Sequence, residues 1–253
     1  MKKILLSAKD ISKSFAHDGG QIHVISHLDL DIYDKDFTVI MGASGSGKST
    51  LLYALSGMDK ATAGSVIYND LDITKIKDND LARLRYTDFG FIFQQMHLVN
   101  NLSLFENIAV CGYLNKNKKA TEINNKVNDL LELMNIMHVK KHLPSQVSGG
   151  EQQRCAIARA VINEPKIIFA DEPTGALNKT NTIEVLNLLT SLNNKGQAIL
   201  MVTHDIRAAL RANRVIYLED GKVKGEIDLP PYNLEDEKSR EVQLNAWLSS
   251  MKW

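Results

Sequence analysis

The segment at residues 37–49 reads FTVIMGASGSGKS, an apolar run followed by a glycine-rich turn that ends in lysine and serine. The run at residues 37–41 predicts a buried strand, and the leucines that follow the turn predict a helix over residues 49–57. The turn itself matches the pattern G-x-x-x-x-G-K-[ST]. A strand, this turn and a helix are the context in which the pattern forms a phosphate-binding loop, or P-loop.

The chemistry of this loop suits a nucleoside triphosphate. Its glycines let the backbone approach phosphate oxygens, while consecutive N–H groups and the helix N-terminus supply positive potential. We expect Lys48 to reach the β- and γ-phosphates and the Ser49 hydroxyl to ligate Mg²⁺. The alternative is a glycine-rich turn with an incidental lysine, which the surrounding strand and helix disfavour. The residues expected to bind the nucleotide here are Gly42, Ala43, Ser44, Gly45, Ser46, Gly47, Lys48, Ser49 and Thr50.

A second apolar run, at residues 167–170, ends in the carboxylates Asp171 and Glu172. This is the Walker B arrangement, in which Asp171 would hold Mg²⁺ directly or through water. Glu172 would orient and polarise the attacking water. Many strands end in acidic residues at the surface, so the pattern is weak alone, but the P-loop upstream strengthens it.

The third motif, at residues 147–154, reads VSGGEQQR and is followed by a helical pattern. Ser148 with Glu151 three residues later forms a capping box, and any helix could begin in that way. The Ser-Gly-Gly turn also exposes backbone N–H groups at the positive end of a helix dipole, which is a second phosphate-binding surface. One nucleotide hardly needs two such surfaces from one chain, but two chains could supply one each.

Composition narrows the function classes. The 253 residues are 44% hydrophobic and 24% charged, which is ordinary for a globular protein. Thirty basic and thirty acidic side chains cancel, which disfavours a general binder of nucleic acids or anionic membranes. No apolar run approaches the roughly 18 to 20 residues that cross a bilayer, and the start, MKKILLSAKD, is too charged for a signal peptide, so we expect a cytoplasmic chain. Cys111 and Cys155 have no spacing typical of a disulfide framework or a metal site.

The remaining pattern alternates between sheet and helix. Residues 28–33 alternate with period two and predict a strand, and the turn cluster at 17–21 predicts a hairpin tip before it. Residues 103–143 have helical spacing and predict a helical insertion into an α/β domain. The sequence also predicts further strands at 66–68, 89–93 and 198–202, a surface loop at 115–119, and a C-terminal amphipathic helix carrying Leu244, Trp247, Leu248 and Met251.

Taken in chain order, these motifs resemble the ATP-binding subunit of ABC transporters, over about residues 4–228. The segment from Ser148 to Glu151 resembles the signature motif of that family, usually LSGGQ. Gln94 matches the Q-loop glutamine and His204 the switch histidine, while Phe15 stands where the family has an aromatic residue that stacks on adenine. Alone, His204 could be a structural hydrogen-bonding group, Gln94 a surface residue and Phe15 part of the core.

The resemblance implies an α/β fold, the P-loop NTPase fold of ABC ATPases. This fold has a mostly parallel core sheet, an N-terminal antiparallel β subdomain and a helical subdomain. We therefore expect a single ATPase domain with a RecA-like core at 1–93 and 163–228, a helical subdomain at 94–162 and a helical tail at 229–253.

The resemblance also implies a mechanism with ATP and Mg²⁺. Two chains would pair head to tail as a homodimer, and each ATP would lie between the P-loop of one chain and the signature residues of the other. His204 would contact the γ-phosphate, and Gln94 would contact Mg²⁺ and sense the attacking water. Asn178 stands where close relatives have Asp, so the resemblance does not decide whether its loop makes the usual contact across the dimer. The signature residues are Ser148, Gly149, Gly150 and Glu151.

A membrane partner follows from the same resemblance. The segment after Gln94 carries Met96, Leu98, Leu102 and Leu104, which we expect to be exposed and to receive a cytoplasmic helix of an integral-membrane permease. The chain would then work as a peripheral protein at the cytoplasmic face of the cell membrane.

Residues 41–52, 90–95 and 167–177 look most like the MacB/LolD-like branch, whose members work with MacB/FtsX-type permeases. Within it they resemble the bacitracin- and lantibiotic-resistance (BceA-like) type, in which a sensor kinase can be coupled through the permease. Export or lipoprotein release of the MacB/LolD-like kind is the alternative. A soluble ABC ATPase of translation or DNA repair, with a nucleic-acid partner, is disfavoured by the single cassette. A GTPase is disfavoured because no N-K-x-D motif is present.

Overall fold

The computed structural model describes residues 2–17, 20–251 and 253. The chain forms two compact units: unit 1 consists of Met1–Leu81 and Asn193–Trp253, and unit 2 of Ala82–Leu192. The strands are β1 (Ile4–His17), β2 (Gly20–Tyr33), β3 (Phe37–Met41), β4 (Ala63–Tyr68), β5 (Leu71–Asp72), β6 (Phe89–Phe93), β7 (Ile167–Asp171), β8 (Ala198–Val202), β9 (Arg214–Glu219) and β10 (Lys222–Asp228). The α-helices are α1 (Lys48–Leu55), α2 (Asp78–Thr87), α3 (Leu104–Gly112), α4 (Ala120–Leu133), α5 (Gly149–Val161), α6 (Lys179–Asn194), α7 (Ile206–Ala209) and α8 (Glu237–Ser250). Three short 3₁₀ turns lie at Met137–Val139, Pro144–Gln146 and Leu234–Asp236.

Unit 1 contains an antiparallel sheet in the order β2-β1-β4-β5. The strands β1 and β2 form a long hairpin, in which Ile11 pairs with Leu28 and Phe15 pairs with Ile22. The predicted strand at 28–33 is confirmed as the end of β2, and its alternating apolar side chains are buried. Two residues of the predicted hairpin tip, Asp18 and Gly19, lie outside the described residues.

The second group of strands in unit 1 is built around β3, whose five residues are all buried. This strand pairs in parallel with both β8 and β9, and β10 pairs antiparallel with β9. Its neighbour β8 is apolar throughout and β9 is a buried, largely apolar run at residues 215–218, as expected for parallel strands that are covered on both faces. The structure therefore confirms the buried strands predicted at 37–41 and 198–202.

Unit 2 combines two parallel strands with helices. Residues Phe89–Phe93 of β6 pair in register with Ile167–Asp171 of β7. The Phe169 ring packs against Phe89 and Phe91, with ring centroids 5.1 and 5.6 Å apart. The apolar stripe predicted in the helical insertion is buried on α4 and just beyond its end, and comprises Val127, Leu130, Leu131 and Met134.

The cysteines of unit 2 are free thiols, as the sequence indicates. Cys155 on α5 is buried, and desolvation raises the pKa of its thiol to about 12. Cys111 on α3 is half-buried, and burial raises the pKa of this thiol as well. Both thiols therefore stay protonated near neutral pH. Because the thiolate is the reactive form of cysteine, neither thiol is reactive there.

The C-terminal helix α8 packs against unit 1, the unit to which it belongs. Leu244 and Leu248 are buried, and a Cβ built on Gly225 of β10 would lie 2.9 Å from the Met251 sulfur. The buried Arg240 guanidinium donates hydrogen bonds to the carbonyls of Pro230 and Ala212. Among the described residues, none of the helices has the length and apolar character of a membrane span.

Candidate functional site

The P-loop runs from the end of β3 into α1 in unit 1. Gly47 has φ +98° and caps the helix, and a Cβ there would lie 3.0 Å from the Val24 carbonyl oxygen. Gly45 has φ +82° but faces open space, with no atom within 4 Å of the position its Cβ would take. Only glycine adopts such angles without steric cost. The loop therefore turns tightly against the protein and leaves its tip accessible to an anion.

Lys48 lies inside this turn. Its side chain is almost buried, at 8% exposure, and Nζ donates hydrogen bonds to the carbonyl oxygens of Gly42 (2.8 Å) and Ala43 (2.9 Å). The buried Ser46 hydroxyl has no hydrogen-bond partner among the described residues. A held ammonium, an unpaired hydroxyl and an open glycine tip are groups that fit a polyphosphate.

The turn between β9 and β10 supports the P-loop from outside. Its backbone N–H at Gly221 donates to the Ser46 carbonyl oxygen at 3.1 Å, and its carbonyl accepts from the Ser26 N–H at 3.4 Å. Asp220 and Gly221 have φ of 48° and 69°, as in a two-residue type I′ turn. The sequence patterns above do not predict this contact, although Asp-Gly between two strands is a known hairpin signal.

His204 lies at the same sheet edge as the P-loop. In the parallel pair of β3 and β8, Ile40 is opposite Val202, and the Thr203 N–H donates to the Ile40 carbonyl at 3.1 Å. Gly42 and His204 thus both follow the carboxyl ends of neighbouring parallel strands, where ligands bind in open α/β sheets. The His204 side chain is exposed.

Phe15 lies on β1 of unit 1 and is 43% exposed. A core position, the alternative considered for this residue, is therefore excluded. The ring pairs across the hairpin with Ile22, which is also exposed. An exposed aromatic face is what stacking on a nucleotide base requires.

The acidic pair and Gln94 meet at the corresponding edge in unit 2. Phe93 at the end of β6 is opposite Asp171 at the end of β7, so Gln94 and Glu172 follow paired residues. A Cβ built on Gly175 would lie 2.8 Å from Gln94 Nε2, which places the amide against the turn after Glu172. Glu172 has φ +45°, an angle that is uncommon for residues other than glycine and that clusters at functional sites.

The signature segment begins α5 in unit 2 with the predicted capping box. The Ser148 hydroxyl oxygen accepts from the Glu151 N–H, while Glu151 Oε2 accepts from the Ser148 N–H at 2.8 Å and from its hydroxyl at 2.7 Å. These hydrogen bonds, more than the nearby His138, lower the pKa of Glu151. A Cβ on Gly150 would lie 2.3 Å from the side-chain amide of Asn181 at the start of α6, so a larger residue there would have to displace that side chain. Ser148 and Gly149 are left exposed at the helix N-terminus.

The apolar segment after Gln94 is less exposed than expected. Leu104 is fully buried at the start of α3, which corrects its assignment to the exposed set, and Met96, Leu98 and Leu102 are half-buried. Leu104 is the first residue of α3, which begins at a second capping box between Ser103 and Glu106 and packs against α5 inside unit 2. Helical spacing alone does not distinguish this inward position from an exposed one.

Comparisons with known proteins agree with the motifs. Residues 25–175 match the family described as ABC transporter. Over 229 residues, the chain is 41% identical to the macrolide export ATP-binding/permease protein MacB of Wolinella succinogenes; the match covers 88% of this chain and 34% of that protein. The chain therefore spans about a third of the length of that relative.

Solved structures give the same result. Two dimeric structures of the ABC transporter cassette MJ0796, one of them a post-hydrolysis state bound to ADP and Pi, match with TM-scores of 0.84 and 0.83 at 35% identity, covering 90% of this chain and all of theirs. The cassette cbiO1 from Clostridium perfringens, part of the transporter complex cbiONQ, matches at 26% identity with a TM-score of 0.79, covering 90% of this chain and 89% of that one. The expected fold class is confirmed: this chain belongs to the ABC transporter family, and it is an ABC ATPase with the P-loop NTPase fold.

Proposed function

We propose that this chain powers a membrane transporter by binding and hydrolysing ATP as one half of a homodimer. The observation that carries the proposal is the P-loop, in which the buried Lys48 ammonium is held at the edge of a parallel sheet. The dimeric cassettes of 35% identity support the pairing of two chains. The similarity to an ATP-binding/permease protein supports a permease partner of the MacB/FtsX type.

In this proposal, each residue contributes binding or positioning. Lys48 and the N–H groups of the P-loop bind the phosphates, and the Phe15 ring stacks on the adenine. His204 donates to the γ-phosphate, and Glu172 orients the attacking water and accepts its proton. Phosphoryl transfer depends mainly on such positioning and charge stabilisation. A second chain contributes the exposed N-terminus of its α5, with Ser148, Gly149, Gly150 and Glu151.

The oxygen ligands for a metal suit Mg²⁺, a hard cation. Ser49 lies in the first turn of α1, Asp171 is the last residue of β7, and Gln94 follows Phe93, the strand partner of Asp171. These three residues would hold Mg²⁺, and the bound ion would neutralise negative charge on the phosphates.

We further propose that the transporter belongs to the bacitracin- and lantibiotic-resistance type. The similarity to MacB supports the branch, and the motif stretches at 41–52 and 167–177 support the narrower type. Export or lipoprotein release of the MacB/LolD-like kind is the second candidate, favoured by the name of that relative. A large permease gene beside a sensor-kinase gene, next to the gene for this chain, would favour the first candidate.

Fractionation of cells tests the transporter role. We expect the protein to sediment with membranes when the neighbouring permease is co-expressed and to stay in the supernatant when it is not. The Lys48→Ala variant is a matched control. Its substitution lies in the P-loop, outside the segment proposed to contact the permease, so we expect it to sediment in the same way. Sedimentation with ribosomes or DNA instead would favour the soluble class of ABC ATPases.

The Asn178→Asp substitution is expected to keep or raise ATPase activity. Asn178 Oδ1 accepts a hydrogen bond from the Asn181 N–H at 2.9 Å and so caps α6. Aspartate caps a helix equally well, and its charge suits the positive N-terminus. Phosphate release measures the activity. The control, Asn178→Ala, is expected to lose about 1 kcal/mol of stability with the cap. Complete loss of activity in Asn178→Asp would reject this view of the loop.

A further inference from the structure

We propose that Lys13 is a positioning residue for nucleotide binding: it fixes the Phe15 ring in the orientation that stacks on the base. The inference rests on the proposed nucleotide site and adds a residue to it. Lys13 and Phe15 are two residues apart on β1, so their side chains leave the same face of the strand. The Lys13 ammonium lies 4.9 Å from the centroid of the Phe15 ring.

The ammonium itself is held firmly. Lys13 is only 8% exposed, and Nζ donates to Asp59 Oδ1 at 2.6 Å and to the Lys60 carbonyl oxygen at 2.7 Å. An exposed lysine would sample many rotamers, but this one has two short, charge-assisted hydrogen bonds. The ring above it is therefore in contact with a fixed charge.

Asp59 connects this charge to the phosphate-binding loop. Its backbone N–H donates to the Tyr53 carbonyl in the last turn of α1, the helix that begins at the P-loop. Three residues later, Thr62 donates from its N–H to the Ser12 carbonyl at 2.8 Å, and its hydroxyl accepts from the Ser14 N–H at 3.0 Å. Through these bonds, the end of α1 fixes the part of β1 that carries Phe15.

The placement of the charge also favours a base on the other side of the ring. A cation is attracted to the negative face of an aromatic ring and draws π-electron density toward itself. The ammonium covers one face, while the 43% exposure of Phe15 leaves surface for a ligand. An adenine on the remaining face would then meet less π–π repulsion, and the ring would lose little freedom on binding.

The test compares two ligands by calorimetric titration. In Lys13→Met, which keeps the length and the apolar stem, we expect the Kd for ATP to rise about 3- to 10-fold. The Kd for inorganic tripolyphosphate, which has no base, is expected to stay within about 2-fold. Asp59 is 43% exposed, so its carboxylate stays solvated when its partner is removed. The matched control is Lys9→Met, an exposed lysine on the same strand, for which both Kd values stay unchanged.

The outcomes separate the inference from the proposed site. An equal loss of ATP and tripolyphosphate affinity in Lys13→Met would mean a general structural role and would overturn the inference. Unchanged ATP affinity in Lys13→Met, together with weakened ATP binding in Phe15→Ala, would also overturn it while leaving the nucleotide site intact. Unchanged ATP affinity in Phe15→Ala would instead refute the adenine-stacking assignment on which the inference rests.

Discussion

The Lys48→Ala variant is expected to lose nucleotide binding. The ammonium is buried in the P-loop against the carbonyls of Gly42 and Ala43, in the same turn as the open tip at Gly45. Removing it deletes charge-assisted hydrogen bonds to phosphate worth about 1.5–3 kcal/mol each and leaves two carbonyls without their donor. We expect ATP affinity to fall at least about 100-fold, which is about 2.7 kcal/mol.

Calorimetric titration with ATP measures this loss. The exposed Lys9→Ala on the same unit is the control and keeps wild-type affinity. A thermal melt shows whether the Lys48→Ala protein still folds. It therefore distinguishes loss of nucleotide binding from loss of the fold. Wild-type affinity in a folded Lys48→Ala protein would contradict the assignment of the P-loop.

The Glu172→Gln variant is expected to accumulate as an ATP-bound dimer. The amide keeps the size of the side chain at the end of β7 but cannot accept a proton from water, so hydrolysis falls by about 10²- to 10⁴-fold. If hydrolysis is what reopens the dimer, the closed form persists. Glutamine has the same length and shape as glutamate, and the φ of +45° at this position is set by the turn after β7, so the substitution changes the charge and keeps the size of the side chain.

Gel filtration with and without ATP distinguishes the two states. The double variant Glu172→Gln with Lys48→Ala is the matched control, because it lacks nucleotide binding and must elute as a monomer under both conditions. A single variant that stays monomeric at saturating ATP would refute the proposed dimer.

The elements that the sequence predicts best are those in which local pattern and burial agree. The runs that became β3, β7 and β8 are apolar except at Thr38 and at the final Asp171, and the α4 stripe has helical spacing, so the hydrophobic effect acts on a pattern that is already visible. The capping box at Ser148 is likewise local, since its two partners are three residues apart.

Other features depend on contacts that sequence patterns do not contain. The inward turn of Leu104 follows from how α3 packs, and the pairing of Phe93 with Asp171 joins residues far apart in the chain. The anchor of Lys13 on Asp59 is of the same kind. The boundaries proposed for the core, the helical subdomain and the tail stay predictions, because chemistry-bearing motifs mark sites and not domain edges.

The capping box at Ser148 restricts what its hydroxyl can offer to a second chain. A serine hydroxyl has a single proton, and here that proton is donated to the Glu151 carboxylate at 2.7 Å. A phosphate from another molecule must compete with an internal anion for it, and the hydroxyl has to rotate before it can donate outward. A neutral glutamine would be the weaker competitor. If two chains share a nucleotide as proposed, Glu151 would therefore require the Ser148 proton to exchange an internal acceptor for a phosphate oxygen.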